Sequence, residues 1–100
     1  MLFRSNRFLA VLPQRMAGIR TRVTELSPGV WEQAARDELR TEVHSLAGSA
    51  GLFGFEAIGT TAGDLERLIM RIGKQPAALP GDIQEIQAAA ARLEAAVRSA

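Results

Sequence analysis

Apolar residues recur at steps of three and four along almost the whole chain, the spacing that lines one face of an α-helix. The first such line is Phe8, Leu12, Met16, Ile19, Val23 and Leu26. Pro13 interrupts it, and a missing backbone donor there predicts either a bend or a division into a short leading helix and a longer one beginning near Pro13. Ser27 followed by Pro28 reads as an N-cap and first-turn proline, with Gly29 a mild defect, so the second helix is expected to start there. Its line is Ala35, Leu39, Val43, Leu46, Ala50 and Phe53, after which Gly54 can end it. A third helix is expected from Phe55 to Ile72, with Ile58, Ala62, Leu65, Ile69 and Ile72 inward and Gly73 as its stop. Residues 73–81, GKQPAALPG, read as a loop. Asp82 then serves as N-cap for a last helix with Ile83, Ile86, Ala90, Leu93 and Val97 inward, and Arg92 and Arg98 toward the end where the helix dipole favours cations. No strand pattern competes. The expected fold is all-α: an antiparallel up-down-up-down four-helix bundle with a short or kinked N-terminal helix, formed by residues 1–100 as a single domain.

Composition fits that reading. One hundred residues, 47% apolar and 23% charged, make one small domain with a modest core. The chain has no cysteine, which removes disulfides and thiolate metal sites and speaks against redox chemistry. The early apolar run Phe8 to Leu12 is too short for a membrane span or a signal peptide, so the cytoplasm is the expected location. Net charge is +1 but unevenly placed: residues 1–24 carry five arginines and no acid, leaving seven basic and eleven acidic residues for the remainder. A basic amphipathic helix could meet nucleic acid or a membrane surface. Arginines this spread, without a lysine cluster, fit a solvated helix face better, and neither nucleic acid nor membrane is expected as a partner.

The second helix contains HSLAGSAGLFG, residues 44–54, with the only histidine and three of the nine glycines. Each interior glycine costs a helix about 0.5–1 kcal/mol relative to alanine. At about 100° per residue, the apolar line stays within about 40° of its mean direction while His44 lies about 140° away. The imidazole is therefore expected to face solvent, with Arg40 and Thr41 one turn before it and Ala47 and Gly48 one turn after. Gly48 points away from the core, where alanine would serve the helix better, and the hollow beside the ring continues through Gly51. Gly51 and Gly54 fit equally well as packing or terminal glycines.

Other histidine chemistries lack parts. A metal site needs more than one imidazole or thiolate. Ser45 and Ser49 sit on no strand-turn-helix elbow and no oxyanion loop is visible, and there is no Walker A loop for a nucleotide. What remains is an exposed nucleophile without a catalytic apparatus of its own.

HSLAGSAGLFG followed by AGDLERLI resembles the signature of histidine-containing phosphotransfer (HPt) domains, H-x-L-K-G-S-A-G-x-x-G with a following helix ending in L-E. The likeness runs without a gap from His44 to Glu66, and that family's four-helix bundle agrees with the helices above. The resemblance implies that His44 is the phosphoryl acceptor through Nε2, that Gly48 gives clearance beside it, and that Leu46, Ala50 and Leu65 pack the bundle. It sets Glu66 near the phosphoryl site, although a carboxylate there is expected to turn to solvent. Thr41, Ala47, Gly48 and Gly51 are the expected partner-binding residues. Where the family usually has lysine this chain has Ala47, and the nearest replacement cation is Arg40. By the same resemblance the chain is a non-enzymatic phosphocarrier of bacterial two-component signalling, taking phosphate from one response-regulator receiver domain, or through a hybrid histidine kinase, and passing it to another. It binds no cofactor or metal of its own, Mg²⁺ being held by the receiver. The alternative is a helical interaction module of the same shape that is never phosphorylated; a nucleic-acid or membrane binder acting through the basic N-terminal helix is a more distant one.

Overall fold

The computed structural model describes residues 2–26 and 31–100, with side chains from residue 6 onward. Four helices follow one another: α1 (Leu2–Thr24), α2 (Gln33–Leu52), α3 (Glu56–Gly73) and α4 (Pro80–Arg98). Each contributes one stripe to a shared core. Phe8, Leu12, Met16, Ile19 and Val23 come from α1, Leu39, Val43, Leu46 and Ala50 from α2, the five predicted residues from α3, and Ile83, Ile86, Ala89, Ala90 and Leu93 from α4. The predicted lines hold in their middles and fray at their ends: Leu26, Phe53 and Val97 are only partly buried and Ala35 is exposed. Full burial of one Leu, Ile or Val side chain contributes about 1.5–3 kcal/mol, which outweighs the glycine defects of α2.

The helices form a square in which α1 packs on α2 and α4, and α3 packs on α2 and α4. Cross-contacts show their directions. Arg22 meets Glu38, Arg15 meets Ser45 and Phe8 meets Phe53, so α2 runs antiparallel to α1. Arg36 meets Gly73 and His44 meets Glu66, so α3 runs antiparallel to α2. The reversal between α2 and α3 turns on Gly54 at φ +82°, a left-handed value that glycine adopts without penalty. Around it the Phe55 N–H donates to the Ala50 carbonyl at 2.8 Å and the Gly54 N–H to that of Gly51 at 3.3 Å, closing the end of α2 in a Schellman motif. Phe8 lies across this corner, its ring stacked 5.1 Å from Phe55 and tilted 5.6 Å from Phe53.

Of the two expected outcomes at Pro13, division is excluded, because α1 is one helix with the proline inside it; three other local expectations need correction. A proline interior to a helix costs about 3 kcal/mol, and this is offset because Phe8 and Leu12 on one side and Met16 and Ile19 on the other are all buried in the same core. The expected Ser27–Pro28 start lies outside the described residues, but α2 begins only at Gln33, after a non-helical Trp31 and an extended N-cap Glu32. Trp31 is buried, with the Arg36 guanidinium 5.8 Å from its ring centroid, and this packing sets where the chain can turn into the helix. Asp82 is the third residue of α4 rather than its cap: Pro80 opens the helix and the Asp82 carboxylate accepts the Leu79 N–H at 2.9 Å. Gly73 is the last residue of α3, and its backbone is not left-handed. Its use is room, since a Cβ there would stand 2.9 Å from Arg36 Cδ, and Arg36 Nη1 donates to the Gly73 carbonyl at 3.1 Å.

Candidate functional site

His44 stands on the outer face of α2 with a side chain 68% exposed. Its Nδ1 lies 2.8 Å from Glu66 Oε2 on α3. Arg40, one turn earlier on α2, brings Nη1 to 3.7 Å from the same oxygen. Glu66 therefore does not turn to solvent as expected: its side chain is 16% exposed and leans across the seam onto α2. The hairpin dictates this meeting. His44 precedes Gly54 by ten residues and Glu66 follows Phe55 by eleven, so two antiparallel helices leaving one tight turn bring them level.

The contact determines which nitrogen is free. An ionised carboxylate only accepts, so a neutral imidazole facing it carries its proton on Nδ1 and leaves the lone pair on Nε2. Nε2 then points to the open side of the ring. The same carboxylate can steady positive charge on the ring if Nε2 becomes bonded, and Arg40 holds the carboxylate in turn.

Around the ring, Gly48 and Gly51 are exposed, and a Cβ built on either would meet nothing within 4 Å. Neither is a packing glycine by that measure. On α3, a Cβ at Gly59 would lie 3.7 Å from the Ala47 carbonyl oxygen and from the Gly51 nitrogen, an ordinary contact distance across the seam between the two helices. Ala47, where a lysine would be usual, is half-buried against the core at that seam. On the opposite flank Thr41 is exposed and, with Gln14, Arg15, Gly18, Glu42 and Ser45, lines a groove of about 380 Å³ between α1 and α2. Arg15 Nη2 donates to Ser45 Oγ there at 3.0 Å, a contact with no signal in the spacing of α2 alone.

Among the described residues no group of three or more His, Cys, Asp or Glu could hold a metal ion, and no helix is long and apolar enough to cross a membrane. A family model described as the Hpt domain matches residues 6–96. Hpt domains are helical bundles that serve as phosphotransfer modules. The chain belongs to the Hpt domain family, whose members work in phosphorelays and engage receiver domains. Comparison with curated proteins gave no match, and neither did comparison with solved structures.

Proposed function

We propose that this chain is a phosphocarrier that accepts a phosphoryl group on Nε2 of His44 from a receiver-domain aspartyl phosphate and returns it to the aspartate of another receiver. The observation that carries the reading is the 2.8 Å contact of Nδ1 with Glu66 on a ring otherwise open to solvent. In the forward step the Nε2 lone pair attacks phosphorus, the N–P bond forms, and the P–O bond to the aspartyl carboxylate breaks with its electron pair leaving on oxygen. The ring then carries a proton on Nδ1 and a phosphoryl group on Nε2, and Glu66 balances the positive charge or takes the proton. Return transfer reverses each change.

The bundle contributes a positioned nucleophile. Neutralisation of the phosphoryl oxygens and in-line geometry come from the receiver, whose Mg²⁺ is the one metal the reaction needs. Arg40 is the cation nearest the site on this chain and stands in for the lysine that Ala47 replaces. Gly48 and Gly51, bare on the outer face, leave clearance for the receiver pocket, with Thr41 and Ala47 at its margins. A hybrid histidine kinase upstream and a cytoplasmic setting complete the reading.

The test is mass spectrometry of the chain after incubation with phosphorylated receiver domains. One acid-labile phosphoryl group is expected, absent from His44→Gln, whose melting temperature should match the parent because the side chain is exposed. No adduct from any receiver, or an acid-stable adduct on serine or threonine, would overturn the proposal, and the former result would favour an adaptor that uses the bundle only for contact.

A further inference from the structure

The two flanks of His44 are built differently. Toward α3 the space is taken: Glu66 engages both the ring and Arg40, and Arg67 beyond them pairs with Asp64. Toward α1 it is open. At about 100° per residue, Leu52 lies about 80° from His44 around α2, Ser45 about 100° and Ser49 about 140°, all on the α1 side, while Arg40 and Ala47 lie about 40° and 60° the other way. Leu52 is 75% exposed, and Val11 on α1 is 40% exposed. Next to Leu52, a groove of about 250 Å³ runs between the helices, lined by Arg7, Phe8, Val11, Arg15, Ser49 and Phe53. Exposed large apolar side chains gathered at a groove mark a contact surface more often than isolated ones do.

Charge says what would cover it. No acidic residue occurs in residues 1–24. Farther along α1, Arg20 and Arg22 are engaged by Glu94 and by Glu38 and Glu42. Arg7 and Arg15 are not: among the described residues neither has a carboxylate partner, and the one side-chain bond of Arg15 goes to the neutral hydroxyl of Ser45. The acids of α2, Asp37, Glu38 and Glu42, all precede His44, so the stretch from His44 to the Gly54 turn carries no carboxylate, and the charged residues lining the groove are Arg7 and Arg15 of α1.

We infer that the receiver domain seats on the α1 side of His44, placing an apolar side chain ringed by carboxylates into the groove between Arg7, Val11 and Arg15 of α1 and Ser49 and Phe53 at the end of α2, with exposed Leu52 beside it. The inference rests on the proposed phosphocarrier function and adds to it the chemistry by which this chain selects a receiver. Complementary rim charges act chiefly on the encounter rate and on the rejection of wrong partners, and buried apolar groups at the centre hold the complex. An anionic membrane is the less suited occupant, since the two free arginines among the described residues fall short of the cluster of about four to eight cations that holds a segment to a charged leaflet.

The experiment measures transfer from a phosphorylated receiver to the full chain as a function of receiver concentration and salt. Arg7→Glu combined with Arg15→Glu is expected to raise KM for the receiver about tenfold or more at low salt and to flatten its salt dependence. Leu52→Ser should raise KM severalfold without changing the salt slope. Arg92→Glu combined with Arg98→Glu, the same charge change on α4, which does not touch α2, should transfer as the parent does. Circular dichroism melts confirm that each variant is folded, and Arg7→Gln with Arg15→Gln replaces the reversal if it is not. Transfer by the Arg7/Arg15 variant equal to that of the Arg92/Arg98 variant would overturn the inference. So would sedimentation with anionic vesicles that the Arg7/Arg15 variant abolishes while its transfer stays at the parent's level. Phosphoramidate, too small to need a docking face, separates this outcome from failure of the functional reading: parent chain phosphorylated at His44 by phosphoramidate and discharged by a receiver upholds that reading whatever the arginine variants do, and a parent chain inert to both sinks reading and inference together.

Discussion

The two faces of α2 are opposites. On the inner face Leu39, Val43, Leu46 and Ala50 are no more than 1% exposed. On the outer face the ring of His44 stands between Arg40 and two bare glycines, with nothing in reach of a Cβ at either. The inner face supplies stability well beyond what one helix needs, and this surplus allows the outer face to carry residues that are poor for a helix and useful for access. Stability and reactivity are thus separated by about half a turn of one helix, and substitutions on the two faces should move different measurements.

The largest effect is expected inside. Leu46→Ala removes a fully buried side chain and should cost about 2–5 kcal/mol in denaturant unfolding, depending on how far the neighbouring stripes collapse onto the vacancy. At temperatures where the variant remains folded, phosphorylation of His44 should persist. A variant that stays as stable as the parent yet transfers poorly would erase the separation between the faces.

Next in size is Glu66, which reaches from α3 onto the outer face of α2. Glu66→Ala leaves Nδ1 without its acceptor, and free histidine favours the proton on Nε2, the nitrogen that must attack. Transfer should fall roughly tenfold, equivalent to about 1.4 kcal/mol in the barrier. Glu66→Gln, which still offers an oxygen to Nδ1 but no charge, should fall between. Because a packing role could lower the rate too, the deciding readout is ¹⁵N NMR of His44: the Nδ1–H tautomer in the parent, shifted toward Nε2–H in Glu66→Ala. An unchanged tautomer would mean that Glu66 merely packs.

Gly48 sharpens the comparison at a smaller energy. Gly48→Ala should stabilise the bundle by up to about 1 kcal/mol, since the Cβ meets open space and the helix gains propensity. Gly48→Gln should fold equally well. Transfer should nonetheless drop with side-chain size, because the reacting atoms must close to about 3–3.5 Å and the added atoms stand in the path of the receiver. Early melting of the Gln variant would show that the position belongs to the packed face after all.

How much of this was legible in the sequence differs by face. The core stripes were read almost residue by residue, because burial against two neighbouring helices imposes the three-and-four spacing directly. The five inward positions of α3 are all buried, and four of the six on α2. Helix ends were read less well. Trp31 delays α2, Pro80 advances α4, and Arg36 explains Gly73, and each of these depends on a side chain arriving from elsewhere in the chain. At the site, the solvent exposure of His44 and the bareness of Gly48 followed from angle alone. The orientation of Glu66 did not, since a carboxylate on a helix edge defaults to water, yet counting residues outward from the Gly54 turn would have set it opposite the histidine. Arg15 on Ser45 needed the register of α1 against α2, which Pro13 leaves open because a bent and a divided first helix give different registers.

The smallest effect concerns an ion pair away from the histidine. Arg20 and Glu94 join α1 to α4 much as Arg40 and Glu66 join the two sides of the site, but no reacting group lies between them. The hydrogen bond from Arg20, more than its charge, holds the Glu94 carboxyl below its ordinary range, with Arg98 adding a weaker pull. A carboxyl whose folded value lies below its unfolded one contributes stability above the unfolded value and loses it as pH falls through the folded one. The pair should therefore help at neutral pH and fade in acid, below about pH 4, where unfolded glutamates begin to titrate. Glu94→Gln should lower the melting temperature slightly at pH 7 and converge on the parent in acid, because an exposed pair is largely screened. Its transfer to and from receivers should equal the parent's at every pH where both are folded. A loss of transfer in Glu94→Gln comparable to that in Glu66→Gln would mean that carboxylates anywhere on the bundle affect the histidine through overall charge, and the special position of Glu66 would fall.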